Sequence, residues 1–134
     1  MQRDKMLAGE LAVGMVVHLY PKTLLELGAK PTGPGDRWVT GHHFSICIEA
    51  GPKRCVMLPL YSHDGPGRSQ ISLQGRSGHE KWTLGEHYYH PVQTWPASRV
   101  AIARAALASG DLMRSGSRNL LDPGAVPSLA RNEG

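Results

Sequence analysis

The sequence has few aromatic residues and no long apolar run, and each shortage excludes a class of protein. Aromatic side chains make up 6% of the 134 residues, which argues against a broad stacking platform for single-stranded nucleic acid. The longest apolar stretch, residues 15–19, is interrupted by His18 and is too short to span a bilayer. Residues 1–10 lack the apolar segment of a secretory signal. We therefore expect a cytoplasmic protein without a membrane partner.

Cysteine is also scarce, and charge of one sign is not clustered. Two cysteines, Cys47 and Cys55, are too few for a disulfide scaffold. They fall on neighbouring predicted strands, so they could form a disulfide across the hairpin or remain two buried thiols. A cytosolic setting favours the thiols. No run of five like charges is present. The net charge of +4 nevertheless favours an anionic partner, nucleic acid first.

Hydrophobic periodicity divides the chain, which we expect to be one domain over residues 1–134, into two parts. Strands are predicted over residues 11–20, 38–48, 55–61, 70–73, 82–84 and 88–92, with a short helix over residues 23–27. From Phe44 the second strand alternates apolar residues on one face, and the turn at residues 51–53 predicts an antiparallel hairpin with the third strand. Residues 11–95 are therefore predicted to form a small, strongly bent antiparallel β-barrel.

Residues 96–134 are predicted to form a helical C-terminal appendage. Pro96 suits a first helical turn, and Gly110 suits the end of that helix. A second short helix is predicted from Asp122, followed by Pro123, to Ala130. The fold class predicted for the whole chain is mostly β (α+β), with C-terminal helices.

A motif around the hairpin resembles a known family. Residues 41–48 read Gly-His-His-Phe-Ser-Ile-Cys-Ile and lead through the hairpin to a strand that ends at Ser62, followed by a glycine-rich loop with Arg68. Over about residues 11–75 the chain resembles the MazF/PemK-type plasmid-maintenance toxins, which are small SH3-like barrels. The resemblance implies a metal-independent endoribonuclease acting on single-stranded RNA without a cofactor. It also implies a homodimer and an antitoxin protein that covers the site.

The resemblance also assigns site residues. In that family an arginine at the start of the second strand and a serine or threonine at the end of the third flank the scissile phosphate. Here His43, or His42, stands in place of the arginine, and Ser62 matches the serine. Because imidazole can act as a base on a ribose 2′-hydroxyl, we expect His43 to be the acid–base group. Ser62 would orient the phosphate and Arg68 would stabilise charge.

A second group of residues is expected to bind the substrate around those three. A short polar and basic loop near the C-terminus could hold phosphates, and histidines flank the catalytic positions on both sides. The residues predicted to bind substrate are His42, His63, Arg114 and Arg118.

Two other functions fit the same sequence. One is a non-catalytic module of phage or plasmid origin that binds nucleic acid or a protein, which the absent family arginine favours. The other is a metal-dependent hydrolase, since His63, His79 and either His87 or His90 would give three histidine ligands with an open position, as catalytic zinc requires.

Overall fold

A computed structural model describes residues 8–32, 43–108 and 118–127. Within these ranges the strands are β1 (Met15–Leu19), β2 (His43–Ala50), β3 (Arg54–Pro59), β4 (Ser69–Gln70), β5 (Arg76–Ser77), β6 (Tyr88–Tyr89), β7 (Trp95–Ser98) and β8 (Asn119–Leu121). The helices are α1 (Pro21–Glu26), α2 (Glu80–Thr83) and α3 (Arg99–Ala108), and short 3-10 turns lie at Ala8–Glu10 and Pro123–Ala125. None of these described helices is both long and apolar enough to cross a membrane.

Six strands form an antiparallel sheet in the order β5-β8-β1-β2-β3-β7, and β4 pairs with β6 in a separate ladder. The prediction of a mostly β fold with a few helices is confirmed. The barrel is not seen, because in the described part of the chain β5 and β7 are the two edges of the sheet and do not pair with each other.

The β2–β3 hairpin is confirmed, and its alternation of side chains serves both faces of the sheet. Phe44 and Ile46 pack on one face and Cys47 on the other. A bulge between Cys47 and Glu49 shifts the register. Cys47 and Cys55 are buried and unbridged, as two thiols. Burial, followed by the neighbouring Cys55, raises the pKa of Cys47 to about 12.

Each face of the sheet therefore has its own apolar core. The first core lies between the sheet and the helices α1 and α3, and its largest members include Leu19, Leu24, Met57, Trp95 and Ile102. The second core lies on the opposite face, and its members are Val16, Phe44, Ile46, Leu60, Ile71, Trp82 and Leu121. Burial on both faces explains why the strands read as apolar runs with few polar interruptions.

The start of the C-terminal third is a strand and not the predicted helix. Trp95–Ser98 is an edge strand, and the carbonyl of Pro96 accepts from the Lys30 N–H on its outer side. The missing proline N–H therefore faces away from β3, a position that proline tolerates. The helix begins only after Ser98, whose hydroxyl accepts from the Ala101 N–H at 3.1 Å as an N-cap.

A second correction concerns the end of the chain. β8 lies inside the sheet, between β1 and β5, where a helical appendage was predicted. Asp122 caps the following turn by accepting from the Gly124 N–H, as expected of its position before proline. The predicted helix ends at residues 110 and 130 lie outside the described ranges.

The strand predicted over residues 82–84 is also wrong, because Glu80–Thr83 forms a helical turn. The His79 ring caps it, with Nδ1 accepting from the Lys81 N–H at 3.0 Å. Gly78 precedes the cap with a φ of 122°, and a Cβ there would lie 2.3 Å from Asn119 Oδ1. The turn directs Trp82 into the second core, fully buried.

The place of β8 in the sheet can be tested with two adjacent leucines. Leu121 is 1% exposed and Leu120 is 44% exposed. We expect Leu121→Ala to lower the free energy of unfolding by about 2–5 kcal/mol, because it leaves a cavity in the second core. Leu120→Ala should change it by about 0.5 kcal/mol or less. Urea denaturation measures both, and similar losses in the two variants would contradict the strand.

Candidate functional site

An open cleft of about 650 Å³ lies beside the second core, with Phe44 and Leu60 in its lining. It has two walls of different origin. The strand wall, from β1, β2 and the segment after β3, consists of His18, His43, Phe44, Leu60, Ser62 and His63. The helix wall, from α2 and the loop after it, consists of Glu80, Lys81, Leu84, Gly85, Glu86 and His87.

His43 is an imidazole of the strand wall that a main-chain hydrogen bond orients. It is half-buried at the first position of β2, and its Nδ1 lies 2.9 Å from the carbonyl oxygen of Leu60. A carbonyl can only accept, so Nδ1 must be the nitrogen that carries the proton. In the neutral ring the lone pair is then on Nε2. An imidazole oriented by a hydrogen bond from one ring nitrogen suits the role of a general base.

The loop after β3 brings two further predicted residues to the same wall. Tyr61 exchanges both main-chain hydrogen bonds with Tyr88, at 2.7 and 2.9 Å, which fixes where the loop begins. Ser62 and His63 follow and are exposed to solvent at the cleft. The structure therefore places His43, Ser62 and His63 in the lining of one cleft.

His18 completes the strand wall and was not predicted as a site residue. Its ring packs edge-on against Phe44, with the ring centroids 4.8 Å apart. The signal was present in the sequence, since His18 is the polar residue that interrupts an otherwise apolar strand.

The helix wall is anchored from behind by Arg76. Its guanidinium lies over the Trp82 ring, 4.7 Å from the centroid, and donates to four main-chain carbonyls at 2.6–3.1 Å. These carbonyls belong to Ile71, Ser72, Trp82 and Gly85. Burial lowers the pKa of Arg76, although a guanidinium stays charged at neutral pH. No sequence signal indicated this residue.

His87 lies in the helix wall and is 7% exposed. Its ring is 5.4 Å from Phe44 and 5.0 Å from Trp82, centroid to centroid. Burial, followed by the positive charge of Arg76, lowers the pKa of His87. The imidazole is therefore neutral at pH 7 and acts as part of the aromatic floor of the cleft.

The helix wall also carries charges that the sequence did not single out as site residues. Lys81 lies between Glu80 and Leu84 at the cleft. Glu86 accepts from the Tyr88 hydroxyl at 2.8 Å, and this bond raises the pKa of Tyr88. The two walls thus differ in chemistry: imidazoles and a hydroxyl face carboxylates and an ammonium group.

Several predicted residues lie elsewhere. Arg68 is not in the lining of the cleft; its guanidinium stacks over the Tyr61 ring at 3.7 Å. Arg118 forms an ion pair with Glu10, so its charge is already matched by a carboxylate. The predicted residues at positions 42 and 114, His42 and Arg114, lie outside the described ranges.

The histidines proposed as metal ligands are not assembled. His79 caps α2, and the Nδ1 of His90 accepts from the Val92 N–H at 3.3 Å, so both rings serve their own turns. Among the described residues no three histidine, cysteine, aspartate or glutamate side chains are grouped to hold a metal ion. The predicted set of His63 and His79 with His87 or His90 is therefore not brought together.

Comparison with known proteins adds no relative: no family model, curated protein or solved structure matches the chain. The function must be argued from the cleft itself.

The neutral state of His87 predicts a specific pH dependence of stability. In the unfolded chain His87 takes up a proton near its ordinary pKa of about 6.5, whereas in the folded protein its pKa is lower. The stabilisation that the neutral His87 ring gives to the folded state is therefore fully present above about pH 6.5 and is lost as the pH falls below that value. In the wild type His87 Nε2 lies 3.3 Å from the carbonyl oxygen of Lys81. His87→Gln removes the titration and keeps a side-chain N–H that can donate to that carbonyl.

Urea denaturation of the wild type and of His87→Gln at pH 7 and pH 5 measures this effect. The wild type should lose more free energy of unfolding, by up to about 1.4 kcal/mol per pH unit. Equal losses in the two proteins would show that the folded state does not hold His87 neutral.

Proposed function

We propose that the protein cleaves single-stranded RNA in the cleft by general acid–base catalysis without a metal ion. The observation that carries the proposal is the bond from His43 Nδ1 to the Leu60 carbonyl, which directs the basic nitrogen of a cleft-lining imidazole. Ser62 and His63, in the same wall, supply a hydroxyl donor and a second imidazole.

The reaction follows from these groups. His43 Nε2 accepts the proton of the ribose 2′-hydroxyl, whose oxygen attacks the adjacent phosphorus. The bond from phosphorus to the 5′-oxygen breaks, and His63, protonated, donates a proton to the departing oxygen. The Ser62 hydroxyl donates to a phosphate oxygen as charge develops. The products are a 2′,3′-cyclic phosphate and a 5′-hydroxyl end.

The distribution of charge favours a phosphate on the strand wall rather than on the helix wall. Among the described lining residues, the strand wall has hydrogen-bonding imidazoles and a hydroxyl and no carboxylate, whereas Lys81 on the helix wall lies beside two carboxylates. The net charge of the chain is +4. Glu80 and Glu86 belong to the opposite wall, so they disfavour phosphate there and direct it towards the imidazoles.

The resemblance to the MazF/PemK toxins supports the same activity and adds three proposals: an SH3-like ancestry of the sheet, a homodimer, and an antitoxin that covers the cleft in the cytoplasm. In this chain His43 replaces the family arginine, so the acid–base role is carried by imidazole.

A matched pair of histidine variants tests the catalytic role. His43→Asn keeps an N–H that can reach the Leu60 carbonyl but removes the base. His79→Asn keeps an N-cap acceptor for the Lys81 N–H and lies outside the cleft lining. With a mixed-sequence RNA in EDTA, we expect His43→Asn to lose about 100-fold or more of the cleavage rate and His79→Asn to match the wild type.

The same assay distinguishes the other two functions. An active His43→Asn variant would contradict the assignment of the base. Intact RNA, together with binding that weakens steeply with salt, would indicate the binding module. Cleavage that EDTA abolishes would indicate a metal-dependent enzyme.

A further inference from the structure

Residues 62–68 form a loop between two points where the backbone is paired. Tyr61 pairs with Tyr88 at one end, and Ser69 pairs with Tyr89 at the other. Ser62 and His63 lie between these points, in a stretch of the described chain without a strand. Main-chain pairing therefore fixes the ends of the loop, and side-chain contacts hold the residues between them.

Arg68 makes those contacts. Its guanidinium lies 3.7 Å from the centroid of the Tyr61 ring, and its Nη1 donates to the His63 carbonyl at 2.9 Å. The Arg68 main-chain N–H donates to the Gly65 carbonyl at 3.1 Å. A Cβ on Gly65 would lie 3.3 Å from the guanidinium, so the loop closes tightly around it.

The returning limb of the loop is fixed as well. Gly67 has a φ of 75°, and a Cβ there would lie 2.8 Å from His90 Nε2. The loop therefore packs against His90 at Gly67, and Arg68 holds its first part through the bond to the His63 carbonyl.

We propose that Arg68 is a positioning residue: by stacking on Tyr61 and bonding the His63 carbonyl, it holds Ser62 and His63 at the cleft. The catalytic consequence rests on the proposed function, whereas the placement of the loop does not. This replaces the expected role of Arg68 as a group that touches the transition state. A planar guanidinium can stack and donate at once, which an ammonium group cannot reproduce.

Kinetics with an RNA oligonucleotide distinguish a positioning role of Arg68 from a direct electrostatic role on the substrate. We expect Arg68→Ala to lower kcat by about 10–100-fold, because small misplacements of reacting groups cost that much, and to leave KM within about twofold. Arg68→Lys should lose nearly as much, since it lacks the planar group. If lysine restores most of the activity, the charge acts directly and the proposal is wrong.

Tyr61 variants test the stacking partner. Tyr61→Leu, which removes both the aromatic ring and the hydroxyl, should lower kcat as much as Arg68→Ala does. Tyr61→Phe removes the hydroxyl but keeps the ring, so its kcat should stay within about threefold of the wild type. The double variant Arg68→Ala with Tyr61→Leu should be no worse than either single one, because both disrupt one unit. Additive losses would contradict the clamp, that is, the single unit that Arg68 forms with the Tyr61 ring and the His63 carbonyl. Thermal unfolding confirms that each variant is folded.

The salt dependence of binding gives an independent readout. With a 2′-O-methyl RNA that cannot be cleaved, the slope of log affinity against log salt should be the same for Arg68→Ala and the wild type. A slope reduced by about 0.7, the value of one phosphate contact on a single strand, would place Arg68 on the substrate and overturn the proposal.

NMR of the protein without RNA separates this inference from the proposed function. In Arg68→Ala the amide signals of residues 62–64 and the His63 ring should shift or broaden, while the His43 ring should not. A wild type that leaves RNA intact would refute the proposed function, and these spectra would still decide the clamp. Unchanged spectra would refute the clamp even if RNA is cleaved.

Discussion

The helix wall of the cleft depends on one half-buried cation, the guanidinium of Arg76. It donates to four main-chain carbonyls and lies over Trp82, so it joins the chain before β5 to α2 and to the loop after it. Removing such a group takes a donor from carbonyls that are at most partly buried, so the cost for each is below that of a fully buried unsatisfied group, about 1–3 kcal/mol. Burial lowers the pKa of His87, and the charge of Arg76 adds to that shift. Arg76 thus joins the segments of the helix wall and helps to keep its imidazole neutral.

The strand wall uses the same device on a smaller scale. Arg68 stacks on Tyr61 and donates to the His63 carbonyl, as Arg76 stacks on Trp82 and donates to carbonyls before β5, in α2 and after α2. In a chain with 6% aromatic residues, two of the aromatic rings serve as platforms for arginines. Arginine can do this because its planar group stacks and donates in fixed directions. Loops without regular strands are thereby held on either side of the proposed active site.

The sequence allowed the centre of the sheet to be predicted but not its borders. The alternation from Phe44 onward fixes the faces of β2, and the turn at residues 51–53 fixes the hairpin, because both signals are local. β8 was missed because the burial of Leu121 depends on strands distant in sequence. Arg76 gave no signal, and Arg68 was predicted for a different role, since the partners of both guanidinium groups are aromatic rings and main-chain carbonyls, and every residue has a carbonyl. The position of His43 at the start of β2, and of Ser62 and His63 shortly after β3, could be predicted because both strands belong to the hairpin.

A single 2′-deoxy substitution tests the central claim, that an oriented imidazole in the cleft activates a ribose hydroxyl. An RNA oligonucleotide is compared in EDTA with the same oligonucleotide lacking the 2′-hydroxyl at its main cleavage position, and the ends of the products are identified. The account predicts that the RNA is cut to a 2′,3′-cyclic phosphate and a 5′-hydroxyl, and that the substituted strand is not cut at that position. Cleavage of both strands at that position, or of neither, would contradict it.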